Sequence, residues 1–215
     1  MKVDNQYFPE ADYKRASDVE HYVANWIRNI PINGYNCIEV EFIGKGAGTD
    51  KKINGFKGSG RNDIALKGCI TGEIEIQGCK MDVSQYTLDL PERKIKSLTS
   101  AIKSGNITSL VGFIQPMKYK DTYKLRGLIL NDHLTAIHSD NFLSDVNIEN
   151  KSFGKSKLNS ETGEKILAVT PSYIIPANNV VIYDERQLRC TIQKWYETGR
   201  TTTCTCNCGN NIFKL

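Results

Sequence analysis

Three short segments in which polar and apolar residues alternate constrain the fold of this chain most. They are Cys37 to Ile43, Asp63 to Lys67, and Glu73 to Cys79. Because successive side chains of a β-strand point to opposite faces, this period of two predicts strands. The last two segments are joined by a short connection that contains Gly68 and Gly72. We therefore expect them to pair as the antiparallel strands of a hairpin.

Segments with helical spacing alternate with the predicted strands. A capping box of Ser17 and Glu20 opens the first helix, which ends before Pro31, and Pro91 opens the second. A third helix is predicted from Glu185 to Thr198. Further strands are predicted at Ser109–Ile114, Lys124–Leu130, Ile166–Val169 and Asn179–Tyr183, with an irregular surface segment at Asn141–Gly163. The order contains no regular βαβ repeat, so we predict an α/β (α+β) fold with a central mixed sheet flanked by helices.

The chain has 215 residues and a net charge of +4, which fits a single domain. Within residues 1–215 we expect an N-terminal helical region (1–35), a catalytic core (36–135) and a C-terminal region (136–215). No apolar run is long enough to cross a bilayer and the first residues do not resemble a signal peptide, so we expect a cytoplasmic protein that does not enter a membrane. The charge is too small to identify a nucleic-acid partner by itself.

The seven cysteines do not suggest a disulfide framework, because their number is odd and four of them lie singly in apolar stretches. The tail residues Cys204, Cys206 and Cys208 could bind a soft metal together with Cys190. Their CxCxC spacing lacks the two-residue loops of common zinc knuckles, so we do not expect zinc there. The alternative is a C-terminal strand with alternating cysteines.

Acidic side chains are concentrated on one face of the predicted hairpin. Glu73, Glu75 and Gln77 share a face of their strand, and Asp63 opens the preceding strand twelve positions before Glu75. A short hairpin would bring Asp63 and Glu75 together, and two repelling carboxylates are usually held by a divalent cation such as Mg²⁺. The alternative is the solvated polar face of an ordinary strand.

The residues Arg61-Asn62-Asp63-Ile64 and Ile74-Glu75-Ile76-Gln77 resemble the motif of the PD-(D/E)xK nuclease superfamily. Within it, the chain looks most like small dimeric type II restriction endonucleases of the PvuII kind, which also share a Lys-Trp-Tyr-x-x-Gly block, found here from Lys194 to Gly199. The resemblance implies a restriction-endonuclease-like core that cleaves double-stranded DNA and leaves a 5′-phosphate.

The resemblance also implies the roles of single residues. Asp63, Glu75 and the carbonyl of Ile76 would hold Mg²⁺, with Mn²⁺ as a substitute. The usual lysine of the motif is replaced by Gln77, which can orient water but carries no charge. Lys67 lies on the same strand face as Asp63 and could supply that charge, or it could be a solvated strand end. Glu73 could be a further ligand or acid, or a surface residue.

Sequence recognition would require polar residues near the catalytic strand, because base edges carry the sequence information. The candidates are Lys80, Ser84, Gln85, Tyr86, Arg93 and Lys94. A palindromic target would imply a homodimer. Two alternatives stay open: another nuclease of the same superfamily, such as a junction resolvase or a repair or defence nuclease, and a DNA-binding module with a decayed catalytic site.

Overall fold

The computed structural model describes residues 10–44, 62–78, 87–104, 109–119, 121–158, 165–176 and 180–199. The strands are β1 (Ile38–Phe42), β2 (Ile64–Gly68), β3 (Gly72–Ile76), β4 (Thr87–Pro91), β5 (Leu110–Tyr119), β6 (Thr122–Ile129), β7 (Ile148–Leu158), β8 (Lys165–Pro176) and β9 (Tyr183–Asp184). The helices are α1 (Glu10–Arg28), α2 (Glu92–Lys103), a 3₁₀ turn (Leu130–His133), α3 (Leu134–His138) and α4 (Glu185–Thr198).

Six of the strands form one mixed sheet in the order β1-β2-β3-β5-β6-β9. β2 and β3 pair antiparallel, as the sequence predicted, and β3 pairs parallel with β5. A second sheet of three antiparallel strands has the order β4-β8-β7. The predicted class, a mixed α/β fold with a central mixed sheet and flanking helices, is confirmed.

The two faces of the large sheet are covered by two separate apolar clusters. The first cluster packs α1 and α4 on the face of β3 that carries Ile74 and Ile76. The second packs α2, α3 and β4 on the opposite face, which includes Val111 and Phe113. Glu75 lies opposite Phe113 in the parallel register and therefore shares the face that α2 covers.

The ends of the helices follow from capping interactions, with one difference from the sequence prediction. At α4, Asp184 accepts a hydrogen bond from the backbone of Gln187 (2.8 Å), and Gly199 ends the helix at φ +60°. The predicted range Glu185–Thr198 is confirmed. α1 begins at Glu10 instead of at the capping box, because residues 10–16 continue the helical turn, so Ser17 is an interior residue.

The segment Asn141–Gly163, predicted to be irregular, contains the long strand β7. Its residues pair with β8 with a register shift between Ser152 and Ser156. Its Lys, Ser and Gly residues have no clear alternation, so only the partner strand reveals the pairing. Of the predicted strand at Asn179–Tyr183, only Tyr183 lies in a strand, β9, and Asn179 lies outside the described residues. β4 was not predicted.

The sequence suggested no disulfide framework, but two of the cysteines form a disulfide. Cys37 and Cys69 stand across from each other, one position beyond the paired residues Ile38 and Gly68, with their Cα atoms 5.6 Å apart. The tertiary pairing of β1 with β2 creates this proximity. Cys190 is free, and Cys79 and the three tail cysteines lie outside the described residues.

No helix in the described ranges is long and apolar enough to span a membrane.

Leu98 anchors α2 to the sheet with a fully buried side chain. We predict that Leu98→Ala lowers the free energy of unfolding by about 2–5 kcal/mol, because the substitution leaves a cavity in the second cluster. Urea denaturation measures the change. The exposed Ser100 on the same helix is the control, and Ser100→Ala should stay within about 0.5 kcal/mol of the wild type. Equal losses in the two variants would contradict this packing.

Candidate active site

The hairpin of β2 and β3 brings Asp63 and Glu75 to one end of the large sheet. Asp63 precedes β2, and its Oδ2 atom accepts a hydrogen bond of 2.8 Å from the backbone N–H of Ile76. This bond holds the Asp63 carboxylate against the end of β3. Glu75, one residue earlier on β3, is 6% exposed. A buried carboxylate requires a compensating partner.

That partner is Lys94, in the first turn of α2, which is 8% exposed. Its Nζ atom donates to Glu75 Oε1, donates to the carbonyl oxygen of Ile76 at 3.0 Å, and lies 3.5 Å from Asp63 Oδ2. An ammonium group has three N–H donors, and here it faces three oxygens. These oxygens belong to Asp63, Glu75 and Ile76, the residues that the sequence resemblance implies as metal ligands.

Burial and the neighbouring carboxylates have opposite effects on the pKa of Lys94. Burial lowers the pKa of Lys94 from its usual value, and the negative charge of Asp63 opposes this effect, as does that of Glu20 on α1. Glu20 was predicted only as part of a capping box. In the structure Glu20 is an interior residue of α1. The helix passes close to the end of β3, because the neighbouring residue Val19 lies next to Gly78.

A second set of hydrogen bonds holds α2 onto the hairpin one turn after Lys94. Asn62 is 1% exposed, and its Nδ2 atom donates to Glu73 Oε2 at 2.8 Å. The Ser97 hydroxyl donates to Asn62 Oδ1 at 3.2 Å. Lys94 and Ser97 are three residues apart and therefore lie on the same side of the helix. Glu73, a predicted metal ligand or acid, is engaged with Asn62.

The two residues that were candidates for the role of the missing lysine have other partners. The side chain of Gln77 donates to the Gly78 carbonyl at 3.4 Å on the exposed side of the strand end. Lys67 is exposed and pairs with Glu41 at 2.5 Å, which raises the pKa of Lys67. Lys67 lies four positions after Asp63 along an extended strand, a distance of about 13 Å. The structure thus brings neither side chain to the carboxylates.

The predicted DNA-contacting residues fall into three groups. Lys80, Ser84, Gln85 and Tyr86 lie outside the described residues. Arg93 is exposed on α2. Lys94 was predicted to contact DNA, but its side chain is buried against the carboxylates and is not at the surface. The sequence does not show this because Lys94 sits among other charged residues, Glu92, Arg93 and Lys96, at the start of a helix.

The donor set at this end of the sheet fits a hard divalent cation. Two carboxylates and one backbone carbonyl are the oxygen ligands that Mg²⁺ accepts, with water completing its shell. Within the described ranges there is no group of three or more His, Cys, Asp or Glu side chains that could hold a metal. The fit therefore depends on the carbonyl of Ile76 as the third oxygen, and the Lys94 ammonium shows that these oxygens can surround one positive charge.

A buried set of hydrogen bonds that the sequence did not reveal connects the two sheets. Arg126 on β6 donates to Gln115 Oε1 on β5 through Nε (3.1 Å) and Nη2 (2.6 Å). Gln115 Nε2 in turn donates to the backbone carbonyl of Asp89 on β4 at 3.1 Å. Because β4 leads directly into α2, this contact fixes the starting point of the helix that carries Lys94.

Comparisons of the chain with protein-family models, with curated proteins and with solved structures found no match.

The ion pair between Lys94 and Glu75 can be tested with a double-mutant cycle. We predict that Glu75→Gln and Lys94→Met each lower the free energy of unfolding by about 3–5 kcal/mol in the absence of divalent metal, because each leaves a buried charge without its partner. The double variant should lose at least about 1 kcal/mol less than the sum of the single losses. Guanidinium denaturation in EDTA measures all four proteins. Additive losses would contradict a direct pair.

Proposed function

We propose that this protein is a Mg²⁺-dependent endonuclease that cleaves double-stranded DNA at a specific short sequence, in the manner of a type II restriction endonuclease. One observation carries the proposal. An Asp before one strand, a Glu on the next strand and the carbonyl after that Glu converge on a single cationic group. Their order along the chain matches the motif resemblance drawn from the sequence.

The proposed mechanism gives each residue of the site a task. Asp63, Glu75 and the Ile76 carbonyl would bind Mg²⁺, which lowers the pKa of bound water and neutralises charge on the phosphate. Gln77, the residue after β3, would orient the attacking water, which requires its amide to leave the Gly78 carbonyl. Asn62 holds Glu73 and, through Ser97, the helix α2 that carries Lys94. Hydrolysis would leave a 5′-phosphate and a 3′-hydroxyl.

The proposal includes two copies of the chain on one duplex. A homodimer would match the two-fold axis of a palindromic target and place one site at each strand. The protein would act in the cytoplasm.

A second candidate is a DNA-binding module with a decayed site. The observation that favours it is the Lys94 ammonium, which already neutralises the carboxylates without metal. Sequence-specific DNA binding without cleavage in Mg²⁺ or Mn²⁺ would select this candidate. Cleavage of branched or damaged DNA alone would instead select a resolvase or repair nuclease.

Asp63→Asn tests the proposed nuclease activity. We predict that phage DNA incubated with the wild type and Mg²⁺ gives discrete ends of one sequence, and that Asp63→Asn cuts at least about 100-fold more slowly, because a charged metal ligand is lost. Sequencing of the ends and gel assays of cleavage provide the measurements.

The matched control for this substitution is Asp121→Asn, at an exposed carboxylate in the turn between β5 and β6. The control should cleave at the wild-type rate. Full activity of Asp63→Asn would end the nuclease proposal.

The β7–β8 ribbon extends beyond β4 and is a candidate DNA-binding arm. β4 pairs with Ser172–Pro176 only, so about 20 Å of β8 before Ser172 pairs with β7 alone. In sequence, residues 151–158 and 165–170 contain Lys151, Lys155, Lys157 and Lys165 and no Asp or Glu. A paired ribbon with this composition suits the phosphate backbone.

We predict that Lys155→Gln/Lys157→Gln weakens DNA binding and flattens its salt dependence. The slope of log affinity against log salt should fall by about 0.9 for each phosphate contact that is lost. Fluorescence anisotropy in Ca²⁺ at several salt concentrations measures the slope. Lys103→Gln/Lys118→Gln removes the same charge from two exposed positions outside the ribbon. An equal effect of the two double variants would contradict a role of the ribbon.

A further inference from the structure

The ammonium group of Lys94 lies between the three oxygens that would bind a metal ion. Lys94 is not at the motif position of the usual lysine, which is occupied by Gln77. The Nζ atom of Lys94 lies 3.0 Å from the carbonyl oxygen of Ile76, the last residue of β3, which Gln77 follows directly. A charge at this point can act on a phosphate bound at the end of the hairpin, whereas the amide of Gln77 cannot supply that charge.

We propose that Lys94 of α2 is the cationic catalytic residue of this site, in place of a lysine on β3, and that it also holds the metal-binding oxygens together before metal binds. The inference rests on the proposed nuclease function. In the reaction, the water oxygen bonds to phosphorus, the bond from phosphorus to O3′ breaks, and its electron pair stays on O3′. The water proton goes to solvent, solvent protonates O3′, and Lys94 stabilises the negative charge on the phosphate oxygens.

The packing of α2 places Lys94 firmly enough for this role. Ile95, Leu98 and Ile102 are buried in the second cluster, and the hydrogen bond from Ser97 to Asn62 connects the next turn of α2 to the residues just before β2. Two other lysines of the described residues have partners of their own. Lys96 pairs with Glu92 and its side chain is 71% exposed, and Lys67 pairs with Glu41.

One point between three oxygens cannot hold both an ammonium group and a divalent ion. The four-carbon stem of Lys94 must therefore withdraw its ammonium from the oxygens when metal binds, while staying within reach of the adjacent phosphate. Removal of the ammonium should strengthen metal binding, because a competing positive charge is lost. A lysine whose only role is to stabilise the fold would not affect the cleavage rate of a protein that metal has already stabilised.

The test uses Lys94→Met and Lys94→Met/Gln77→Lys, with Lys96→Met as the control. Lys94→Met should bind Ca²⁺ about tenfold more tightly than the wild type by calorimetry, because the loss of one nearby charge favours the cation. In saturating Mg²⁺ its single-turnover cleavage rate should fall at least about 100-fold, which corresponds to about 2.7 kcal/mol of lost charge stabilisation. DNA affinity in Ca²⁺ should stay within threefold of the wild type.

The double variant returns a lysine to β3 and should regain at least tenfold of the lost rate, while Lys96→Met should behave as the wild type. Melting curves in Ca²⁺ show which variants are folded, and Lys94→Arg, which keeps the charge, replaces Lys94→Met if the latter does not fold. The proposal would then be overturned if Lys94→Arg cleaved DNA more than 100-fold more slowly than the wild type while its metal affinity was unchanged. A folded double variant that remains as slow as Lys94→Met would also overturn it.

The inference and the proposed function can fail separately. If the wild type cleaves, Asp63→Asn does not and Lys94→Met cleaves at the wild-type rate, then the role of Lys94 is wrong and the nuclease proposal stands. If the wild type cleaves no DNA in Mg²⁺ or Mn²⁺, the proposed function fails and the inference fails with it.

Discussion

The contact of the Lys94 ammonium with Asp63, Glu75 and the Ile76 carbonyl joins the parts of this structure on which the candidate site depends. Two carboxylates at the end of a tight hairpin repel each other, and Glu75 is almost fully buried. Without a positive charge, the second apolar cluster could not close over this face of β3. Lys94 therefore connects helix α2 to the hairpin. As a result, the stability of the fold depends on the same charges that form the site.

The surrounding architecture fixes the position of that charge. β4 leads directly into α2, and the contacts among Asp89, Gln115 and Arg126 tie β4 to the large sheet. The position of Lys94 relative to β3 is thus set by two sheets and a helix, and not by its own chain neighbours. Buried polar contacts of this kind specify one arrangement of packed layers, because any shift would leave them without partners.

Local sequence signals predicted the elements that depend on local physics. The capping box at Asp184 and Gln187 and the glycine after Thr198 define α4. Alternation along β2 and β3 defined the hairpin, because a period of two with one apolar face leaves few other structures. β7 was missed because its residues show no clear alternation and its pairing with β8 contains a register shift between Ser152 and Ser156. The start of α1 was misplaced because a capping pattern also occurs inside a helix.

The sequence by itself determined that Asp63 and Glu75 lie at the same end of one hairpin, because strand periodicity and a short turn leave little freedom in their register. It also determined that no lysine follows Glu75 on β3, where Gln77 stands. Only the tertiary structure decided that Lys94 and not Lys67 meets the carboxylates. That choice depends on how α2 packs across the sheet, a contact between residues distant along the chain that neither residue type nor local spacing encodes.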